Sequence, residues 1–277
     1  MYKYILFCFL IFGCEFINPE EPIPSYIQIN NFNVTTNAGQ GSNSENIEDV
    51  WVFLDDNLQG VYETPALFPV IQEGIHKLEL KAGIKQNGIS ASRSYYPFYT
   101  SYLLDSVKLN IDSTITINPD ITYNITNIPF IEDFENIGIK LVESVHSDTN
   151  IIVKNDVTSF EGNYGLAQLN ENQQIFECAT YENFVFANSQ NIYVELDYKS
   201  NVQFLIGLYV TTPFEVIQEP FLHINPQENW NKIYIDLSQQ IASHNNAISF
   251  NIWIGFTNND QTIKTVCIDN LKVIYNE

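Results

Sequence analysis

Residues 248–257 read Ile-Ser-Phe-Asn-Ile-Trp-Ile-Gly-Phe-Thr, and they decide the fold. Ile248, Phe250, Ile252, Ile254 and Phe256 fall on one phase, and Ser249, Asn251, Trp253, Gly255 and Thr257 on the other. Successive side chains of a strand point to opposite faces, so this period of two predicts a β-strand with one apolar face. The pattern recurs at 192–199, where Ile192, Val194, Leu196 and Tyr198 alternate with Tyr193, Glu195, Asp197 and Lys199. Val202 to Val210 follows after a Lys-Ser-Asn turn, which predicts a hairpin with the 192–199 strand.

Working toward the N-terminus, Tyr26 to Phe32 alternates in the same way, and 35–46 (TTNAGQGSNSEN) is a polar loop. Asp49 to Asp55 forms the next strand, ending in the turn Asp56-Asn57. Thr114 to Ile117 and Ile121 to Ile125 are short strands divided by Asn118-Pro119-Asp120. No long amphipathic helix pattern interrupts them, and the 14% of aromatic residues are mostly Phe and Tyr. These properties predict an all-β chain: a small N-terminal β-sandwich over 26–127, then a C-terminal β-sandwich over 128–277. The densely aromatic run Ser94 to Tyr102 (SYYPFYTSY) reads as sandwich packing around Pro97.

Two resemblances attach to these segments. From Asp49 to Gly88 the order is strand, Asp-Asn turn, Gly60, Thr64-Pro65, an apolar stretch, then Gly74 opening an alternating strand. This resembles the small PEGA modules of envelope lipoproteins, which implies a structural role, here that of a spacer. The second half opens Ile131-Glu132-Asp133-Phe134-Glu135, continues through Gly162-Asn163-Tyr164-Gly165-Leu166 and Trp230 to Asp236-Leu237, and closes on Ile268-Asp269-Asn270. That order resembles jelly-roll, galactose-binding-like domains, which include many carbohydrate-binding modules.

The jelly-roll resemblance implies a structural Ca2+ held by Glu135 and Asp269, with Glu161 and loop carbonyls from 159–165 beside them. The residues offer their own reason, since paired carboxylates repel unless a cation or proton intervenes. The inward phase also slips between Ile268 and Leu271, predicting a bulge at Asp269-Asn270. The alternative is that Asp269 and Asn270 cap the strand with side-chain hydrogen bonds. A glycan would need aromatic faces beside polar groups. The out-of-phase aromatics Trp253, Tyr209, Tyr234 and Tyr193 supply a platform if their strands share one sheet.

At the start of the chain, Lys3 precedes the apolar run Tyr4 to Phe12, which ends in Gly13-Cys14. The run is far shorter than the ~20 residues of a membrane-spanning helix. It resembles a bacterial lipoprotein signal peptide (1–14) with its lipobox, which implies a lipid anchor on Cys14. Residues 15–25 then read as a proline-containing tether. Glu15, Glu20 and Glu21 resemble the surface-export signal of Bacteroidota-type lipoproteins. The expected location is the outer membrane, exposed at the cell surface rather than facing the periplasm.

Twelve Lys and Arg stand against 33 acids, a formal charge of −21 that disfavours nucleic acid as a partner. With Cys8 inside the signal, Cys178 and Cys267 remain, either as one disulfide or as two thiols in a β core. His76, His146, His223 and His244 are widely spaced, and His146-Ser147-Asp148 alternates across a strand as no catalytic triad does. No nucleophile elbow, metalloprotease helix or phosphate loop occurs. The reading is a non-enzymatic envelope lipoprotein that binds glycan through its C-terminal jelly roll. The alternative is a structural or scaffold lipoprotein that contacts protein partners in an outer-membrane complex.

Overall fold

A computed structural model describes residues 21–186 and 191–276. Cys14, the rest of the signal, Glu15 and Glu20 lie outside the described residues. Among the described residues the chain is nearly all β, with one short helix, α1 (Ser238–Ala242).

The N-terminal sandwich opposes two groups of strands. One layer joins β3 (Asp49–Leu54), β4 (Asn57–Glu63), β6 (Gly74–Lys85), β7 (Arg93–Tyr95) and β8 (Tyr102–Leu109) in the order β4-β3-β6-β7, with β8 also on β6. The other joins β5 (Ala66–Val70), β1 (Ser25–Ile29) and β9 (Thr114–Ile117), flanked by the parallel pair β2 (Asn33–Thr35) and β10 (Asp120–Thr122). Ile27, Ile29, Val50, Val52, Leu78, Leu80 and Phe68 fill the space between them.

The C-terminal part is a jelly-roll sandwich. Its first sheet runs β13 (Ile151–Lys154), β14 (Tyr164–Leu169), β21 (Lys264–Tyr275), β16 (Ile192–Ser200), β19 (Gln227–Asp236), with β11 (Phe130–Glu132) against β21. Its second runs β12 (Leu141–Glu143), β15 (Ile175–Thr180), β20 (Ser249–Thr257), β17 (Phe204–Thr211), β18 (Val216–Ile224). The apolar phase of the opening stretch, Phe250, Ile252, Ile254 and Phe256, faces Val194, Leu196, Ile235 and Ile268 across the core. Cys178 and Cys267 are free, buried thiols, and burial raises both above the ordinary thiol range.

The expected hairpin between 192–199 and 202–210 does not form. β16 belongs to the first sheet and β17 to the second, so the chain crosses the sandwich at 201–203. Both strands keep an apolar face toward the same core, and a crossing satisfies that alternation as well as a hairpin does. The expected bulge is present: Glu195 pairs Lys272 and Asp197 pairs Asp269, so β21 carries one residue more than β16. Asn270 takes up the extra length with a φ of 49°.

Every residue of β16 except Lys199 is buried, because its second face is covered as well. The N-terminal sandwich lies on it. Tyr193, Tyr234 and Ile274 belong to the same apolar cluster as Tyr96, Phe98 and Tyr99, so the aromatic 94–102 run packs between the two sandwiches. The N-terminal half is therefore docked rather than held away as a spacer.

This interface contains charge. Across β19, β16 and β21 one row reads Tyr234, Glu195, Lys272 and the next reads Lys232, Asp197, Asp269. Glu195 accepts from Lys232 Nζ at 2.7 Å, Tyr96 Oη at 2.6 Å and Tyr123 Oη at 2.8 Å. Ser44 Oγ donates to Asp197 at 2.7 Å and accepts from Lys232 Nζ at 3.1 Å. Lys272 Nζ donates to the Ser42 carbonyl and to Tyr123 Oη. Burial opposes the charged form of Glu195, but Lys232 and Lys272 outweigh it and lower its pKa. Burial likewise opposes the Lys232 ammonium, and Glu195 and Asp197 hold it above the ordinary lysine range.

Removing one partner of such a pair strands the other charge without water. Glu195→Ala is expected to cost ~3–5 kcal/mol in urea unfolding. A loss below ~1 kcal/mol would show that the pair does not hold the sandwiches together.

Candidate functional site

The outer face of the second sheet carries the second phase of the opening stretch. The row through Trp253 reads Val142, Ala179, Trp253, Gly207, Pro220 across all five strands. Small residues on both sides leave space that the indole fills by lying along the sheet. A Cβ on Gly207 would stand 2.4 Å from Trp253 Cε2 and 2.3 Å from the Glu219 carbonyl oxygen. A Cβ on Gly255 would come within 3.3 Å of Trp253 Cζ3. Glycine at 207 is thus a requirement of close approach rather than of backbone dihedral.

The neighbouring rows supply polar groups. Glu177, Gly255, Leu205 and His223 stand in register on one side, and Asn251, Tyr209 and Gln218 on the other. Tyr209 Oη donates to Glu177 Oε1, and Gln218 Nε2 donates to Glu177 Oε2 at 2.5 Å. This link crosses β20 at the level of Trp253, whose residue is only 4% exposed. Burial and the bond to Glu177 raise the Tyr209 pKa above the tyrosine range, so its hydroxyl stays a donor.

Beside the link opens a cavity of about 220 Å3, lined by Trp253, Glu177, Gln203, Leu205, His223 and Thr257 among others. Among the described residues Trp253 Nε1 is buried and has no hydrogen-bond partner. A buried donor without a partner has lost water and gained nothing in return. The pocket joins an aromatic wall to a carboxylate, an amide and an imidazole, which together suit the apolar ring faces and hydroxyl edges of a small polar ligand.

The four expected platform residues separate into two pairs. Trp253 and Tyr209 share this face, with ring centroids 6.4 Å apart. Tyr193 and Tyr234 stand on the first sheet and are buried against the N-terminal sandwich, so they form no platform with the others. Tyr234 Oη meets Tyr99 Oη at 3.1 Å, and Gln86 Nε2 donates to Tyr193 Oη at 3.2 Å. Glu177 and His223 were not singled out from the sequence. Their signal is register alone, which places them beside Gly255 and Leu205 only once the sheet is known.

The carboxylates expected around calcium lie at the far side of the first sheet. Strand β11 pairs with β21, bringing the start and end of the jelly roll together. Asp269 Oδ1 accepts the Asn270 N–H at 2.8 Å, while its Oδ2 is buried without a partner. Burial, with Asp197, Glu161 and Glu135 nearby, pushes its pKa up to about 8. Glu161 accepts from Asn270 Nδ2 at 2.9 Å, and Glu135 accepts from the Asn163 side chain at 2.8 Å. Among the described residues, no three His, Cys, Asp or Glu side chains converge as a metal-binding group. The orphaned Asp269 oxygen, surrounded by like charge, nevertheless fits a cation.

No family model matches the chain, and no curated protein matches it. Among solved structures it is similar to the CBM22-1 xylan-binding domain of Paenibacillus barcinonensis Xyn10C, at 8% identity and a TM-score of 0.40, over 54% of this chain and 94% of that one. It is similar to the family 11 carbohydrate-binding module of Clostridium thermocellum in complex with a β-1,3-1,4-mixed-linked tetrasaccharide, at 14% identity and a TM-score of 0.34, over 52% of this chain and 92% of that one. It also resembles the enzymatically active domain of bacteriophage CBA120 tailspike protein 4, at 11% identity and a TM-score of 0.39, over 52% of this chain. The likeness spans 20% of that tailspike chain.

Gly207→Ala tests whether the indole lies as described. Overpacking is expected to cost ~1–3 kcal/mol in urea unfolding and to shift tryptophan fluorescence as Trp253 is displaced. An unchanged spectrum with full stability would mean the indole does not rest on this glycine.

Proposed function

We propose that this protein binds neutral glycan without catalysis, through the Trp253 pocket on the outer face of the second jelly-roll sheet. The observation that carries the reading is the pocket that sets the Trp253 indole beside Glu177, Gln203 and His223 on that face. Sugar rings present apolar C–H faces and hydroxyl edges, and the pocket offers a partner for each. Glycoside hydrolysis ordinarily uses two carboxyl groups flanking the bond. Among the described residues lining this pocket Glu177 is the single carboxylate, and both its oxygens are already engaged.

The chain is read as an outer-membrane lipoprotein anchored through Cys14 and displayed at the cell surface, a reading supported by the sequence of residues 1–21. A structural Ca2+ at Asp269, Glu161 and Glu135 belongs to the same proposal. Bound calcium would neutralise the clustered carboxylates and hold the 159–165 loop against β21. The melting temperature is expected to rise when Ca2+ is added to chelated protein, and no change would remove calcium from the proposal.

A scaffold role is the second reading, and one feature favours it. Phe214 at the β17–β18 turn is 92% exposed, and Val216 and Ile217 continue along the edge strand β18. Apolar residues on an open edge suit strand addition by a protein partner.

Binding to an array of neutral oligosaccharides separates the readings. Trp253→Ala is a poor probe, because removing a buried indole costs ~3–5 kcal/mol of fold stability. His223→Ala, at an exposed position, is expected to lower glycan affinity about tenfold with an unchanged melting temperature. Absence of glycan binding by the folded protein would leave the scaffold reading.

A further inference from the structure

A second and larger cavity, of about 590 Å3, opens between the two sandwiches. It lies where β18 and β19 form the open side of the jelly roll, and its other wall is the 85–90 turn of the N-terminal sandwich. Leu222, Ile224 and Ile233 provide apolar surface, while Asn87, Asn225 and Gln227 are among its polar groups. Its size falls within the ~300–1,000 Å3 of ordinary small-molecule sites, whereas the Trp253 pocket is smaller than that range.

The N-terminal wall is held in place. Asn87 and Gly88 adopt φ values of 57° and 68°, turning the chain back at its contact with β19. The Asn87 N–H donates to the Tyr234 carbonyl at 2.8 Å, and Asn87 Oδ1 accepts the Asp236 N–H at 2.8 Å. Gln86 Nε2 adds a bond to Asp236 at 2.5 Å. With its oxygen anchored, the Asn87 Nδ2 donor has no partner among the described residues. Asn225 is in the same state, its Oδ1 accepting from Gln203 Nε2 at 3.0 Å. Ser90 and Gln227 make no side-chain hydrogen bond among the described residues.

Amides fixed at one end and open at the other are preorganised partners for a neutral, hydroxyl-rich molecule. A charged ligand finds little here, because Lys85 pairs Glu48 and Lys232 is committed to Glu195. The two cavities share a wall. His223 lines both, and the Gln203–Asn225 hydrogen bond joins a residue of one to a residue of the other.

We propose that the ligand site continues past His223 from the Trp253 pocket into the cleft between the sandwiches, and that its occupant is a neutral oligosaccharide long enough to fill both. This extension rests on the glycan reading of the Trp253 pocket. It makes the N-terminal sandwich part of the binding surface through the 85–90 turn.

The test titrates the full chain, by calorimetry, with β-linked gluco- and xylo-oligosaccharides of increasing length, from the monosaccharide upward. Affinity is expected to climb with length, and the double variant Ser90→Ala, Gln227→Ala to remove about tenfold from long ligands while sparing the shortest binder. Both side chains lie at the cleft without a hydrogen bond among the described residues, and an unchanged melting temperature verifies the fold. Binding that is independent of length and indifferent to the double variant overturns the extension and leaves the Trp253 pocket standing. If no member of the series binds the folded protein, the extension and the glycan reading both fall.

Discussion

The architecture depends on a set of charges buried where two sandwiches meet. Glu195 is fully enclosed between Lys232, Tyr96 and Tyr123, and these groups come from both halves of the chain. Ionised groups are costly to remove from water, and the cost is recovered only when each hydrogen-bonding site finds a partner. Here the partners of the C-terminal acid include two N-terminal tyrosines. Separating the sandwiches would break the Tyr96 and Tyr123 bonds to Glu195 and expose the apolar faces of Tyr193 and Tyr234 to water. The relative position of the halves is therefore specified chemically, and the cleft between them has a defined shape.

That docking also assigns the faces of the jelly roll. One sheet spends its outer face on the N-terminal sandwich, which removes Tyr193 and Tyr234 from solvent. The other keeps its outer face, and there the indole of Trp253 lies between Ala179 and Gly207. The same β phase in sequence thus serves cohesion on one sheet and an open pocket on the other.

Much of this was legible in the residues. Period-two alternation at 192–199 and 248–257 marks strands and sorts their side chains by face, and the slip between Ile268 and Leu271 reveals the bulge that Asn270 makes. Other features depend on contacts remote in sequence. The Lys-Ser-Asn turn looks the same whether the chain pairs with itself or crosses to the opposite sheet, so the 192–210 hairpin could not be distinguished from a crossing. Tyr193 and Trp253 likewise share a phase and a residue class. Only the placement of 94–102 against β16 separates them, because burial of a strand's second face is decided by another part of the fold. Glu177 and His223 carry no local signature, and they become neighbours of Trp253 through register alone.

The charge of the chain bears on which ligand this face accepts. A formal charge of −21 repels anionic polymers at long range, and the Trp253 pocket adds the Glu177 carboxylate at short range. Tyr209 and Gln218 hold that carboxylate by donating to it, so it presents an acceptor edge without a neighbouring cation. An anionic sugar placed there would confront Glu177 directly, while a neutral hydroxyl can donate to it. The amides across the His223 ridge offer donors where Glu177 offers an acceptor, and a hydroxyl serves both because it donates and accepts. Hydroxyl chemistry alone matches the whole surface from Trp253 to Asn87, which is why the proposed ligand is a neutral sugar chain rather than a phosphate or a uronic acid polymer.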